Sequence, residues 1–392
     1  MRLTIIDGFR GIFLVFMVVI HANEILKTVL GKLNHHYFGW VEDAQGFVFM
    51  SGLVVGLVYG SRYLRHGYAA MRKAIWTRIR TIYSHQIFLI LVFLVTMFLF
   101  LQLGDTLPNV LHPYQNEPVL FTLLSALLVT GSVHMGILPM YIFFMMVTPF
   151  AMRLLHQQRY LTYITISVVL WAIAQTRIED QIVTVVEHFL ANSGHQIGMG
   201  IFFNIFGWQV LFFGGLLTGF LMASKQLKLD FLATSEMRVV FFICAAMFFF
   251  YGVYDRIVFD DWFGSEFSQV IKTETDRGNF SQIYVVTFLF DLVAAVWLLG
   301  PGMTDRNSVV RGVAHLLHKI VSFRPFVFLG QHSLHVFTAH ILIVYILSSF
   351  YRNGPPNQLI GSVLILICVA MLFVAAWLHA KWVERVKVQK TA

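Results

Sequence analysis

The chain has 392 residues, of which 58% are apolar, 16% aromatic and only 12% charged. Soluble domains carry about 25% charged residues, so this composition, with a mean hydropathy of +0.72, excludes a water-soluble enzyme. It also excludes a disordered chain, which needs many more polar residues to stay solvated. We therefore predict an all-α integral membrane protein with about ten transmembrane helices, at about 20 apolar residues per span.

Ten long apolar segments are predicted to span the membrane, and residues 1–392 are predicted to form a single transmembrane domain. A shorter apolar stretch, Val119–Thr130, is too short to span and predicts a re-entrant or interfacial helix. The spans lie near residues 11–30, 45–61, 82–103, 133–152, 160–176, 201–223, 239–255, 281–300, 326–350 and 358–380.

The distribution of charge predicts the orientation of these spans. With both termini in the cytoplasm, the cytoplasmic segments hold 21 of the 28 Lys and Arg residues, and the outer segments hold 14 of the 20 acidic residues. This is the positive-inside pattern of membrane proteins. The net charge of +8 is therefore interpreted as a topology signal, and no nucleic-acid partner is expected.

The first span carries two ionisable residues, Arg10 and His21, which are expensive inside a bilayer and mark a functional site by default. Eleven residues make about three helical turns, so both side chains share one face, near Asp7. The alternative is a capping arginine and a histidine that is satisfied within the helix bundle.

A basic cytoplasmic loop follows the second span and ends at Arg78 and Arg80, beside Tyr83. Paired guanidinium groups at the mouth of a bundle suit a phosphorylated ligand, which they bind through charge-assisted hydrogen bonds. Positive-inside bias alone explains most of the other basic residues in this loop.

Polar residues also stand at the predicted outer ends of two spans. Asp43 and Gln45 open the second span, where they are candidates to hydrogen-bond an acceptor hydroxyl or to steady His21. Ser51 follows them, with close helix packing as the alternative role. At the sixth span, a sugar-binding platform is one interpretation and an interfacial aromatic belt the other; its residues are Asn204, Trp208 and Gln209.

Three histidines enter the ninth span, His332, His335 and His340, with Ser333 beside the first. No carboxylate or further ligand has suitable spacing, so no metal site is expected. The two cysteines, Cys244 and Cys368, lie inside apolar runs and are expected to be buried small apolar residues.

Several short motifs occur in a fixed order through most of the chain. Together they resemble the membrane acyltransferase-3 family and, within it, the OpgC branch, the succinyltransferases of osmoregulated periplasmic glucans. The motifs are Asp7-Gly-Phe-Arg10-Gly followed by His21, Phe-Val-Phe-Met-Ser-Gly at 47–52, Arg78-x-Arg80-x-x-Tyr83, Ile-Leu-Pro-Met-Tyr at 137–141, Phe-Asn-x-x-x-Trp-Gln at 203–209, Leu-Gly-x-His-Ser-Leu at 329–334, and His340.

The resemblance implies a multi-pass enzyme of the bacterial inner membrane that transfers an acyl group, succinyl or acetyl, from cytoplasmic acyl-CoA to a hydroxyl of an extracytoplasmic glycan. It implies that His21 is the catalytic base, that Arg10 of the same motif is also a catalytic-site residue, and that Arg78 and Arg80 engage CoA. No tightly bound cofactor is expected; membrane lipid, acyl-CoA and the carbohydrate acceptor are the expected partners, and the oligomeric state stays open. Direct transfer and transfer through an acyl-imidazole are both compatible with these residues.

The sequence departs from the branch at several positions. The branch usually has acidic residues where this chain has Ile20, Gln45 and Gly136, and a basic residue in place of Gln331. These departures predict a divergent member whose acyl donor and acceptor need not be those of the branch. The alternatives are a transporter or flippase for an envelope precursor, and a lipid-acylating membrane O-acyltransferase that uses His340.

Overall fold

A computed structural model describes residues 4–32, 43–103, 111–351, 354–355 and 357–391. Every regular element in these ranges is helical, which confirms the all-α prediction. The helices are α1 (Thr4–Leu26), α2 (Val29–Lys32), α3 (Asp43–Leu103), α4 (His112–Asn116), α5 (Pro118–Ala126), α6 (Ile137–His156), α7 (Tyr160–Gln175), α8 (Ile178–Asn192), α9 (Ile205–Ala223), α10 (Ser235–Phe259), α11 (Ser265–Glu274), α12 (Gln282–Leu299), α13 (Ser308–Val321), α14 (Arg324–Gln331), α15 (Ser333–Phe350) and α16 (Gln358–Thr391).

Eight helices in the described ranges are long and apolar enough to cross a membrane. The number rises to nine if α7 and α8, which meet at an angle of 54°, form one broken span. The long helix α3 contains both the second and the third predicted span, and its backbone leaves helical geometry at Gly67, where φ is 76°. The count of ten spans and the cytoplasmic position of both termini remain predictions.

One sequence prediction differs from the observed helices and another agrees with them. The predicted ninth span, 326–350, is divided into α14 and α15 because His332 has non-helical dihedral angles at the junction (φ −109°, ψ 20°). The short apolar stretch 119–130 forms α5, a helix of only nine residues. Such a helix is far too short to span a bilayer, as its sequence predicted.

The chain divides into two compact units. The first, here called the α1 unit, comprises the described parts of residues 1–50, 228–275 and 282–392. Within it, α1 packs against α13, α14, α15 and α16. Glycines allow this close approach: a Cβ at Gly8 would overlap the carbonyl oxygen of Val321, and one at Gly330 would overlap that of Asp7. Backbone-to-backbone contact of this kind is typical of small residues between membrane helices.

The second, here called the α9 unit, comprises the described parts of residues 51–227 together with 276–281. Within it, α9 packs against α6 and α7. Its contact with α3 is equally close, because a Cβ at Gly52 would overlap the carbonyl oxygen of Phe212. The core of this unit is aromatic, with Phe144 and Phe212 fully enclosed and 5.2 Å apart between ring centroids.

Candidate functional site

A pair of histidines joins α1 to α15 inside the α1 unit. The Nδ1 atom of His21 lies 2.8 Å from the Nε2 atom of His340, and the two rings stack with their centroids 5.0 Å apart. His340 is fully buried and His21 is half-buried. One of the two facing nitrogens must carry the hydrogen of this bond, so each ring restricts the tautomer of the other.

A second polar pair joins the same two helices. Arg10 donates a hydrogen bond from Nη2 to the Oγ atom of Ser333 at 2.5 Å. Ser333 is buried and is the first residue of α15. The guanidinium group of Arg10 also lies over the ring of Phe47, 5.8 Å from its centroid, a distance at which a cation and an aromatic face attract each other.

Aromatic rings connect the two polar pairs. Phe47 stacks on Phe337 at 6.0 Å between centroids, and Phe337 lies 5.5 Å from the His340 ring. The motif residue Phe47 therefore links the guanidinium group at one end of α1 to the histidine pair further along. The structure thus assembles on one α1–α15 interface the residues that the sequence placed on one helix face.

The beginning of α1 is held by its backbone. The carbonyl of Asp7 lies against Gly330 of α14, and Gly11 lies against the carbonyl of Phe326. Because Arg10 stands between these two contacts, its position relative to α15 is determined by helix packing and does not depend on a flexible side chain alone.

Asp43 and Gln45 lie at the start of α3, in the part of this helix that belongs to the α1 unit. Both are buried. The Nε2 atom of Gln45 lies 3.4 Å from the carbonyl oxygen of Tyr284 on α12, a long hydrogen bond. A glutamate at this position would place a second acceptor against that carbonyl, so glutamine suits the local environment.

A cluster of histidines surrounds the junction of α14 and α15. His332 and His379 face each other through their Nδ1 atoms at 2.8 Å, and His335 stacks on His379 with centroids 3.4 Å apart. His332 therefore ties α15 to α16. No group of three or more His, Cys, Asp or Glu side chains in the described ranges is arranged to hold a metal ion.

The predicted CoA-binding residues lie in the α9 unit, on the part of α3 that follows Gly67. Arg78 is half-buried and Arg80 is exposed. Arg62 and Arg78 lie within electrostatic reach of the Tyr59 hydroxyl, as does Tyr141 of the Ile-Leu-Pro-Met-Tyr motif. Two cations and a second phenol therefore act electrostatically on Tyr59 of α3.

Tyr83, which the motif grouped with the two arginines, has a different contact. Its hydroxyl donates to the carbonyl of Ala126 at 3.0 Å, at the end of α5. This hydrogen bond satisfies one terminal carbonyl of that short helix. Ser51 is buried one residue before the contact of Gly52 with α9, which agrees with its alternative role in close helix packing.

The predicted sugar platform at the start of α9 has a structural explanation. Trp208 has no exposed surface, and its indole N–H donates to the carbonyls of Arg277 and Gly278 at 3.1 Å. Neither face of the ring is open to a sugar. The tryptophan instead holds the segment 276–281 against α9.

The two polar residues beside Trp208 are also engaged within the unit. Asn204 is the N-cap of α9, accepting from the backbone N–H groups of Phe206 and Gly207, and its Nδ2 donates to Asn279 at 2.8 Å. Gln209 and Ser167 exchange two hydrogen bonds, at 2.6 and 2.8 Å. An N-cap and a reciprocal amide contact are stabilising features of helices.

Sequence reasoning missed several residues that the structure brings to these places. Tyr59 and His379 gave no signal, because neither belongs to one of the ordered motifs; His335 gave a signal only as one of the histidines of the ninth span. Gly136 is the N-cap position of α6 and has no side-chain cap. An aspartate there would place a negative charge at the start of α6, where the helix dipole favours one, so this departure from the branch removes that charge.

A family match extends over almost the whole chain. A family model described as OpgC protein matches residues 2–385. The chain belongs to the OpgC family. Membership implies an acyltransferase, and the eight apolar helices agree with a membrane protein. No curated protein matches the chain, and no solved structure does.

Proposed function

We propose that this OpgC-family protein is a transmembrane O-acyltransferase of the bacterial inner membrane. It moves a succinyl or acetyl group from cytoplasmic acyl-CoA to a hydroxyl of an extracytoplasmic glycan such as a periplasmic glucan. The observation that carries the proposal is the hydrogen-bonded pair of His21 and His340 on the α1–α15 interface, in a chain whose family implies acyl transfer.

In the proposed reaction, His21 acts as the general base. When its Nδ1–H donates to His340, its Nε2 carries the lone pair that accepts the proton of the sugar hydroxyl. The hydroxyl oxygen bonds to the thioester carbonyl carbon, and the carbon–sulfur bond then breaks. The proton passes from His21 to the departing CoA thiolate, which leaves an ester, free CoA and neutral His21.

His340 supplies the orientation that an acidic residue supplies in a Ser-His-Asp triad. The branch usually has an acidic residue just before the first-span histidine, whereas this chain has Ile20. The hydrogen bond from His21 to a fully buried imidazole fixes the ring and its tautomer without a buried negative charge, which would be costly in a membrane.

The donor is proposed to bind through Arg78 and Arg80. CoA carries several phosphate charges that cannot enter lipid, so these groups must stay where cations are available. The half-buried Arg78, within electrostatic reach of the Tyr59 hydroxyl, offers both charge and hydrogen bonding to such a group. Arg10 lies about 16 Å along α1 from His21 and is proposed to contact the pantetheine or phosphate part of the donor, where its hydrogen bond with Ser333 holds it.

The test is acyl transfer by the purified protein in nanodiscs, with labelled acetyl-CoA or succinyl-CoA and a pool of periplasmic glucans. We expect label on the glucan, and a loss of about 10²–10⁴-fold in rate for His21→Ala. Label that stays on denatured wild-type protein when no acceptor is present would identify an acyl-histidine intermediate. If no acyl-CoA is bound or turned over, the proposal is wrong, and a transporter or flippase becomes the better explanation.

A second arm tests the donor site. The double variant Arg78→Gln, Arg80→Gln should raise the KM for acyl-CoA with little change in kcat, because it weakens binding away from the reacting atoms. Arg72→Gln, an exposed arginine on the same helix, is the matched control. If the double variant and the Arg72→Gln control have equal KM values for acyl-CoA, Arg78 and Arg80 do not bind the donor and only contribute to the orientation of the protein in the membrane.

A further inference from the structure

The helix α13 has three distinct faces. At about 100° per residue, its apolar residues form two adjacent stripes, of which only one is covered by protein. The covered stripe contains Val310, Ala314 and Val321. The other stripe spans about 60° of the helix surface and is exposed; it contains Val309 (71% exposed), Val313 (48%), Leu316 (58%) and Ile320 (42%).

The covered stripe anchors α13 to the rest of the α1 unit. Val310 packs in a cluster with Leu232, Phe241 and Trp297. The start of the helix is fixed as well, because Arg311 donates to the carbonyl of Asp305 at 2.6 Å. The helix is thus held in place, and its exposed apolar stripe is a constant feature of the surface.

Asp305 is itself held by an ion pair. Its carboxylate accepts from Arg238 at 2.7 Å. This guanidinium group, together with the backbone N–H of Asn307, holds the pKa of Asp305 below its usual range. The nearest acidic group to the start of α13 is therefore neutralised by its partner, and the surface of the helix stays basic.

The third face of α13 is basic. Arg311, His315 and His318 lie on the side opposite the exposed apolar stripe, and Lys319 lies about 90° from the centre of that stripe, by the same helical geometry. Lys319 is exposed, as are Arg306 before the helix and Arg324 after it. An apolar stripe beside a face rich in Lys and Arg is the pattern of a helix that lies in a membrane interface.

The length and position of α13 agree with such a location. Its fourteen residues extend for about 21 Å, which is less than the hydrocarbon core of about 30 Å. The helix lies between the candidate spans α12 and α15. The distribution of charge predicts the cytoplasmic side for this segment, and the cytoplasmic surface of membranes is rich in anionic lipid.

We propose that α13 is a binding site for anionic phospholipids of the cytoplasmic leaflet. The exposed apolar stripe inserts among the acyl chains next to the headgroups, while Arg306, Lys319 and Arg324 contact the lipid phosphates. A soluble phosphate compound would match the basic face but leave the apolar stripe in water. The combination of the two faces therefore favours a lipid over a soluble anion.

The first test measures where α13 lies, with the full-length protein in nanodiscs. Spin labels are attached at Val313→Cys and His315→Cys; the two native cysteines are buried, which favours labelling at the introduced positions. We expect the label at 313 to be accessible to oxygen and shielded from a water-soluble nickel complex, and the label at 315 to show the reverse. Equal exposure of both labels to the nickel complex would overturn the proposal.

The second test measures the lipid itself. Detergent-solubilised protein is titrated with phosphatidylglycerol and, separately, with phosphatidylcholine and inorganic phosphate, and bound lipid is counted by native mass spectrometry. The variant Lys319→Gln, Arg324→Gln should bind phosphatidylglycerol at least about fivefold more weakly, with no change for phosphatidylcholine. The control, Lys225→Gln with Lys228→Gln, removes the same charge from exposed residues that are also predicted to be cytoplasmic.

The proposal fails if both double variants bind phosphatidylglycerol equally weakly, because the loss would then reflect the lower net charge and not the position of the removed residues. It also fails if inorganic phosphate displaces phosphatidylglycerol, since the site would then recognise a soluble anion. Neither test uses acyl transfer as its readout, so both are independent of the proposed function.

Discussion

His21 and His340 form the interaction on which the chemistry of the proposed site depends. A single hydrogen bond of 2.8 Å connects their rings, and only one of the two nitrogens in it can be the donor. When His21 is the donor, its Nε2 carries the lone pair and is available as a base; when His340 is the donor, Nε2 of His21 carries the hydrogen and is not. A histidine in this orienting position supplies a hydrogen-bond partner without placing a carboxylate inside the membrane, where a carboxylate would be expensive.

We predict that His340→Ala lowers kcat for acyl transfer by about 10–100-fold, the effect expected when an orienting partner is removed. The loss should be smaller than that of His21→Ala, and the pH profile of kcat should shift, because the remaining histidine has lost its partner. His340→Gln should restore part of the rate, since an amide can also hydrogen-bond the imidazole. His332→Ala, at the other end of α15, is the control.

If His340→Ala has wild-type kcat and an unchanged pH profile while His21→Ala is inactive, His21 acts without this partner. If both variants are active, His21 is not the catalytic base, although the protein still transfers acyl groups. The pH profile separates an orienting role from a purely structural one, because loss of folded protein lowers the amount of active enzyme without moving its pH dependence.

At the scale of helices, glycine contacts decide where the side chains of α1 lie. Gly8 and Gly11 bring α1 into contact with the carbonyl oxygens of Val321 and Phe326. Arg10 stands between them and reaches Ser333. The Asp7-Gly-Phe-Arg10-Gly motif thus combines a functional arginine with the two small residues that allow its helix to approach its neighbours.

We predict that Gly8→Ala destabilises the protein by about 1–3 kcal/mol, the usual range for overpacking a tight contact. The added Cβ overlaps a backbone carbonyl, which cannot rotate away as a side chain can. Gly312→Ala on α13 is the control, because a Cβ there meets no atom within 4 Å, and alanine should favour the helix. Thermal unfolding in detergent measures both; a Tm for Gly8→Ala at or above that of the control would contradict the prediction.

At the start of α9, the structure replaces the binding role predicted for Trp208 with a packing role. The indole N–H of Trp208 satisfies two carbonyls of the segment 276–281. A side chain enclosed in this way stabilises its own unit and has no surface left for a ligand. A residue that the sequence offered as a binding platform is therefore part of the packing that supports α9.

We predict that Trp208→Phe lowers Tm, because the two buried carbonyls lose their hydrogen-bond donor. An unsatisfied buried polar group lowers the free energy of unfolding by about 1–3 kcal/mol. The KM for the glycan acceptor should stay at its wild-type value at a temperature where the variant is folded. Trp262→Phe is the control, because Trp262 is 61% exposed. A raised acceptor KM with an unchanged Tm would restore the sugar-platform interpretation.

At the scale of the whole molecule, the large exposed apolar surface is explained by contact with membrane lipid. In the candidate spans α10 and α12 only 17% of the most apolar window is buried inside the protein, compared with 67% in α6. Exposed apolar side chains on such helices have lipid as their expected partner. The charged loops between the spans then decide which side of the membrane each one occupies.

The predicted orientation can be measured with single cysteines, because the native ones are buried. In intact cells a membrane-impermeant maleimide should label Asp260→Cys from outside. Lys225→Cys should react only after the membrane is permeabilised. Both positions are exposed in the structure, so a difference between them reports sidedness. Labelling of Lys225→Cys in intact cells would reverse or break the predicted topology.

The sequence by itself determined the class of this protein. Composition and periodicity predicted a helical membrane protein, the burial of Cys244 and Cys368 was predicted and is confirmed, and the ordered motifs identified the OpgC family. These properties depend on local patterns: an apolar run of sufficient length partitions into lipid whatever its neighbours are. The helix pattern of α1 also predicted that Arg10 and His21 share one face, and both side chains contact α15.

Only the tertiary structure decided which residues meet. The partners of Arg10 and His21 lie more than 300 positions away, at Ser333 and His340, and no local pattern encodes a contact between distant helices. The same reason explains the two sequence interpretations that changed: Trp208 proved to be enclosed, and the predicted ninth span proved to be two helices. In each case a side chain or backbone angle responds to packing against another part of the chain.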